Sequence, residues 1–145
     1  MNRRTPVKGF TLIEILIVIG IIAILAAIVI VAINPARQFA QANNTTRESN
    51  VNTILNAIGQ DMADNKGVFG GVCGNLLPVS TATSVIGTAG INLACLTPTY
   101  LTAIPTDPTT AVAGDTGYRV AVDATGRVTV SAPGAQLGAT ISVTR

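Results

Sequence analysis

Histidine and tryptophan are missing from this sequence, aromatic residues make up only 3% of it, and charged residues only 11%. Each shortage removes a class of function. Without histidine there is no Ser-His or Cys-His nucleophile pair, no imidazole general base, and little with which to build a zinc site. Serine, aspartate and lysine occur, but in no catalytic motif, and Lys8 and Lys66 are the only lysines. The residues therefore point away from an enzyme, and no cofactor or metal is expected. Charge is equally sparse. The formal net charge is +2, but Arg3, Arg4 and Lys8 sit together at the N-terminus and leave six basic residues against seven acidic ones in the rest. No basic patch argues for nucleic acid as a specific partner.

Aliphatic residues dominate what is present. Hydrophobic residues are 48% of the chain and mean hydropathy is +0.53, and much of the excess lies in one block. From Phe10 to Ile33 the sequence reads FTLIEILIVIGIIAILAAIVIVAI. As a helix this block is about 36 Å long, enough to span the hydrocarbon core of a bilayer. The basic residues before it predict a cytoplasmic N-terminus, with everything after residue 33 outside. A secretory signal would place a small-residue cleavage site after a shorter apolar run. Here the small residue, Gly9, comes before the run, so a cut there removes residues 1–9 and leaves the helix on the product.

Glu14 is anomalous in such a block, because a carboxylate within the bilayer costs about 2–3 kcal/mol or more. A cut after Gly9 would create an α-amino group on Phe10, four residues away. That amine can pair with Glu14 in the same helix, or with Glu14 of a neighbouring chain. In the second case it would set the axial register of an assembly, since any other stagger leaves both charges unpaired. Alternatively, Glu14 snorkels to the cytoplasmic interface near the helix start.

The segment Lys8-Gly9-Phe10-Thr11-Leu12-Ile13-Glu14 resembles the class III signal of type IV prepilins and pseudopilins: a short basic leader ending in Gly, then Phe-Thr-Leu-Ile-Glu, then a long apolar helix. The resemblance covers roughly the first 60 residues strongly and the rest weakly. It implies cleavage between Gly9 and Phe10 by a membrane prepilin peptidase, N-methylation of Phe10, and an assembly role for Glu14. It implies a homo-oligomeric helical filament as the product, with an inner-membrane platform protein and a cytoplasmic ATPase as machinery. Membrane lipid surrounds the helix before assembly, and the cell surface or exterior is the destination. In many subunits of the family a helix-breaking Pro lies a few residues earlier than Pro35 does here.

Beyond the apolar block, Asn34-Pro35 reads as a helix restart or a kink. Ala36, Phe39 and Ala40 share a face, and Val51, Ile54, Leu55, Ile58 and Met62 then recur at helical spacing as one buried stripe. The helix is expected to stop at Asn65-Lys66-Gly67. Residues 66–117 read as a long connection rich in Gly, Ser, Thr and Ala, with short strands as an option. Cys73 and Cys95 lie within it. An even cysteine count in an exported domain suggests one disulfide, stabilising by roughly 3 kcal/mol, with two separate buried thiols as the other reading. Alternating runs at Tyr118–Val122, Val128–Val130 and Ile141–Val143, with a hairpin turn at Asp123–Arg127, predict a three-stranded antiparallel sheet.

The expected fold is thus α+β. A long N-terminal helix, with residues 10–33 membrane-spanning and 34–65 amphipathic, packs on a small antiparallel sheet over 118–145, the globular domain being 34–145. Tyr100-Leu-Thr-Ala-Ile-Pro-Thr-Asp-Pro108 is similar to a segment that precedes the sheet in pseudopilins, some of which bind calcium nearby. Their Asp-Pro-Trp-Gly continuation is absent, and Asp107, Asp115 and Asp123 read instead as solvated turn carboxylates. Within the filament class, the short domain and the non-terminal cysteine pair lean toward a pseudopilin of a secretion or DNA-uptake system. A membrane-tethered binding module is the alternative from another class, although a simple tether needs neither Glu14 nor Gly9-Phe10.

Overall fold

A computed structural model of the chain describes residues 9–69 and 80–145. They form α1 (Leu12–Ala32), α2 (Pro35–Asp64), β1 (Ser80–Val85), a short 3-10 turn (Ala94–Leu96), β2 (Arg119–Val122), β3 (Val128–Ser131) and β4 (Ser142–Thr144). The chain divides into two compact units, Met1–Ala36 and Arg37–Arg145.

In the first unit, Thr11 is extended at φ −83° and ψ 152° and caps α1. The helix then runs through aliphatic residues until Ile33, which is extended at φ −94° and ψ 125° while its N–H still donates to the Val29 carbonyl at 3.1 Å. The cause of the break is local. A proline ring crowds the residue before it out of the helical region, so Asn34 cannot continue the helix, whereas Pro35 itself fits the first position of a new one. The expected long helix is accordingly two helices, separated at Ile33 and Asn34.

The second unit is built on one face of α2. Val51, Ile54 and Ile58 are fully buried and Leu55 nearly so, as the i, i+3, i+4, i+7 spacing requires. Full burial of such a side chain is worth about 1.5–3 kcal/mol each. They share a core with Val120, Val122, Val128 and Val130 from the sheet, with Tyr118 just before β2 and with Ile141 just before β4. Inward and outward residues alternate along β2 and β3, as a sheet with one covered face demands. Tyr118 is fully buried and its hydroxyl accepts from Asn50 Nδ2 at 2.9 Å, so the one polar atom of the ring is satisfied.

The end of α2 falls one residue short of the expected stop and uses a different residue for it. The Gly67 N–H donates to the Met62 carbonyl at 2.7 Å, closing a Schellman-type turn. The left-handed position within that turn is occupied by Lys66 at φ +57°, with Gly67 following at φ +85°.

The sheet is antiparallel with the order β1-β2-β3-β4. Four strands replace the expected three, because β1 arises inside the segment read from sequence as connection. It pairs Ser84 with Val120 and Val85 with Arg119, and it carries a bulge between Ser80 and Ser84. Its sequence, STATSV, has small polar residues and one valine, a weak strand signal that pairing with β2 overrides. The β2–β3 hairpin sits where Asp123–Arg127 placed it. Asp123 Oδ1 accepts from the N–H groups of Thr125 and Arg127 at 2.8 and 3.0 Å, and Gly126 supplies the positive φ of +84°.

Candidate processing and assembly site

Gly9, Phe10 and Thr11 lie ahead of the first helical turn and are exposed, Phe10 at 85%. The peptide bond between Gly9 and Phe10 is therefore in non-helical chain. A Cβ built on Gly9 would meet nothing within 4 Å, and its φ lies outside the left-handed region. Among the described residues, neither packing nor backbone conformation calls for glycine at this position.

Glu14 is the third residue of α1 and closes a capping box. Its Oε2 accepts from the Thr11 N–H at 2.7 Å and from the Thr11 hydroxyl at 2.8 Å, while its own N–H donates to Thr11 Oγ1 at 3.3 Å. A carboxylate in the first turn also faces the positive end of the helix dipole. In this structure Glu14 is held by Thr11. Sequence reasoning missed Thr11 as a partner, although Thr11-Leu-Ile-Glu14 is itself a capping-box pattern.

Around this site α1 offers no fold of its own. The stretch Leu12–Val31 has a mean hydropathy of 3.2, and its most apolar window is entirely unburied. It is long and apolar enough to cross a membrane.

Of the three aspartates considered as calcium ligands or solvated turn groups, Asp107 is placed differently from either reading. Asp107 is a buried residue, and its side chain and that of Arg47 are both fully enclosed. Arg47 Nε donates to Oδ2 at 2.6 Å and Nη2 to Oδ1 at 3.0 Å, with the Thr109 and Thr110 N–H groups adding two bonds of 2.8 Å to Oδ1. The remaining donors of Arg47 reach Asn44, Gln136 and Thr109. Burial alone would push the Asp107 carboxyl up. The guanidinium and the two amides outweigh it and hold the group well below the usual carboxylate range. The expectation of a solvated Asp107 was wrong because its partner is 60 residues earlier, on α2, where nothing local announces it.

Asp115 is half-buried; the Gly117 N–H first, and then the paired Arg119, lower its carboxyl. Asp123 is lowered mainly by the Thr125 hydroxyl and the Arg127 N–H, with the Arg127 guanidinium at 3.0 Å. Among the described residues no three His, Cys, Asp or Glu side chains converge on one point. Cys95 is half-buried in the 3-10 turn. Cys73 lies outside the described residues, so the Cys73–Cys95 pairing stays an expectation.

Residues 4–30 match the family described as the prokaryotic N-terminal methylation motif. Searches of curated proteins and of solved structures return no match. The matched region takes in Gly9, Phe10, Thr11, Glu14 and nearly all of α1, and ends before α2. With the α+β architecture now described, these findings identify the chain as carrying, at its N-terminus, the class III signal of type IV pilins and pseudopilins, on a pilin-like fold.

Proposed function

We propose that this chain is the precursor of a structural subunit of a type IV pilus or pilus-like filament. A prepilin peptidase cuts between Gly9 and Phe10, and the new Phe10 amine is methylated. Residues 10–33 hold the product in the cytoplasmic membrane until it is drawn into a helical filament at or beyond the cell surface. Assembly machinery consists of an inner-membrane platform protein and a cytoplasmic ATPase. The globular domain over 34–145, braced by a Cys73–Cys95 disulfide, faces outward.

One observation carries this reading: a helix apolar on every side and unburied in its own chain begins with a carboxylate. Lipid satisfies the apolar surface but not Glu14. A bundle of identical helices satisfies both, because burying α1 among its copies brings each Glu14 within reach of a neighbour's Phe10 amine. In the uncut chain Thr11 occupies Glu14, and the cut supplies a cationic competitor that forms a stronger, charge-assisted bond. Repetition of one head-to-tail contact yields an open fibre.

The test is N-terminal sequencing with mass analysis of protein sheared from the cell surface. A chain starting at Phe10, heavier by one methyl group and recovered in filaments, is the expected result. A chain still beginning at Met1 and confined to the membrane would overturn the proposal in favour of a tethered binding module.

A further inference from the structure

Outside α1, the large apolar side chains exposed among the described residues include Phe39 at 70% exposure and Leu137 at 56%. Gln136 is fastened to α2 at several points besides its bond from Arg47. Its N–H donates to Asn44 Oδ1 at 2.9 Å, its carbonyl accepts from Asn44 Nδ2 at 2.8 Å, and its side-chain oxygen accepts from Asn43 Nδ2 at 3.2 Å. Leu137 is the next residue, and Phe39 is one helical turn before Asn43. Single exposed apolar residues are ordinary. Leu137 is less so, because it adopts the left-handed conformation at φ +59°, which a residue with a Cβ resists and glycine does not. Its side chain is neither buried nor required by its backbone, so nothing among the described residues accounts for leucine at this position.

We infer that Phe39 and Leu137 form a contact surface for a second copy of this chain, an inference that rests on the filament reading above. Two side chains cover far less than the ~800 Å² per partner of a free-standing protein interface. The surface can work only for a partner attached to this chain elsewhere as well. Phe39 follows the last residue of α1 by seven positions, and α1 is the large unsatisfied apolar surface of the molecule. A neighbour that buries α1 supplies the missing attachment, and Phe39 and Leu137 then add a contact between domains that α1 alone does not make.

The test compares Leu137→Gly and Phe39→Gln with the wild type in full-length chains. It measures filament yield after shearing, membrane-bound subunit, and thermal unfolding of the detergent-solubilised chain. Glycine relieves the left-handed backbone, so Leu137→Gly is expected to raise Tm by roughly 4 °C while lowering filament yield about tenfold. Phe39→Gln is expected to leave Tm unchanged with a similar loss of yield. Wild-type filaments together with unchanged yield in both variants would overturn this inference and leave the filament reading intact. Reduced membrane retention, with yield per membrane-bound chain unchanged, would assign the surface to lipid and also overturn it. Absence of filaments from the wild type itself would overturn both.

Discussion

The two helices of this chain satisfy their apolar residues in opposite ways. In α1 every large aliphatic side chain described is between 50% and 87% exposed. In α2 the stripe of Val51, Ile54 and Ile58 is fully buried, on a helix whose exposed residues are mostly polar. Pro35 separates the two regimes within a gap of two residues. The lesson is that α2 belongs to a domain able to complete its own core, whereas α1 requires a partner phase, either lipid or more of the same helix. Their polar residues follow suit. Arg47 and Asp107 satisfy each other inside one domain, while Glu14 has the cap it forms on its own helix.

Several substitutions would break this contrast, and the largest effect is expected at the buried ion pair. Arg47→Met leaves Asp107 enclosed without a counter-charge and should destabilise the domain by about 3–5 kcal/mol, read by urea unfolding. The double variant Arg47→Met/Asp107→Leu should recover much of that loss, since neither charge is then stranded. A single-variant loss below 1 kcal/mol would show that the pair is less enclosed than the geometry indicates.

The next expectation sets one helix against the other. Ile54→Ala removes a fully buried side chain and should destabilise the domain by about 2–4 kcal/mol. Ile17→Ala, on α1, should change domain unfolding by less than about 0.5 kcal/mol. Equal effects from the two would mean that α1 contributes to the domain core. Glu14→Ala inverts the pattern. Filament yield should fall about 100-fold, matching the ~2–3 kcal/mol of an unsatisfied carboxylate or amine, while the unfolding curve of the domain stays where it was. Assembly at wild-type yield would remove Glu14 from the proposed mechanism.

Acid should act on the domain through Asp107. Its carboxyl is held well below the ordinary range in the fold, so the unfolded chain binds a proton first as pH falls. The stabilisation is complete above the unfolded value near 4 and is lost progressively below it. Unfolding midpoints measured between pH 6 and pH 2 should decline below about pH 4, and less steeply in the Arg47→Met/Asp107→Leu variant. A flat profile in the wild type would contradict the burial of Asp107. The smallest effect expected is a gain: Lys66→Gly removes a left-handed lysine from the end of α2 and should stabilise by about 1 kcal/mol.

Much of this molecule was legible residue by residue. The apolar block, its break at Pro35 and the stripe on α2 are periodic or local signals, and the structure follows them closely. Asp123–Arg127 is a turn whose hydrogen bonds all lie within five residues, and it too was readable. Gly9, Phe10 and Glu14 were read from the sequence as the candidate site, and the hydrogen bonds by which Thr11 holds Glu14 were overlooked. β1 was not legible, because STATSV becomes a strand only once β2 offers it a ladder. Asp107 was misread for a similar reason. A carboxylate beside Pro108 and two threonines looks like a turn residue until the fold brings Arg47 against it.

What the sequence determines by itself is therefore the chemistry that acts along the chain: a spanning length of apolar residues, the basic residues before it, a Gly9-Phe10 pair within a methylation motif, and a helix-capping Glu14. These depend on neighbours within a few positions and survive any arrangement of the rest. The tertiary structure alone decided the fourth strand, the enclosure of Arg47 with Asp107 and the left-handed Leu137 fixed beside Asn44 through Gln136. Each of those joins residues dozens of positions apart, and the free energy that favours them exists only after the chain has closed the loop between them.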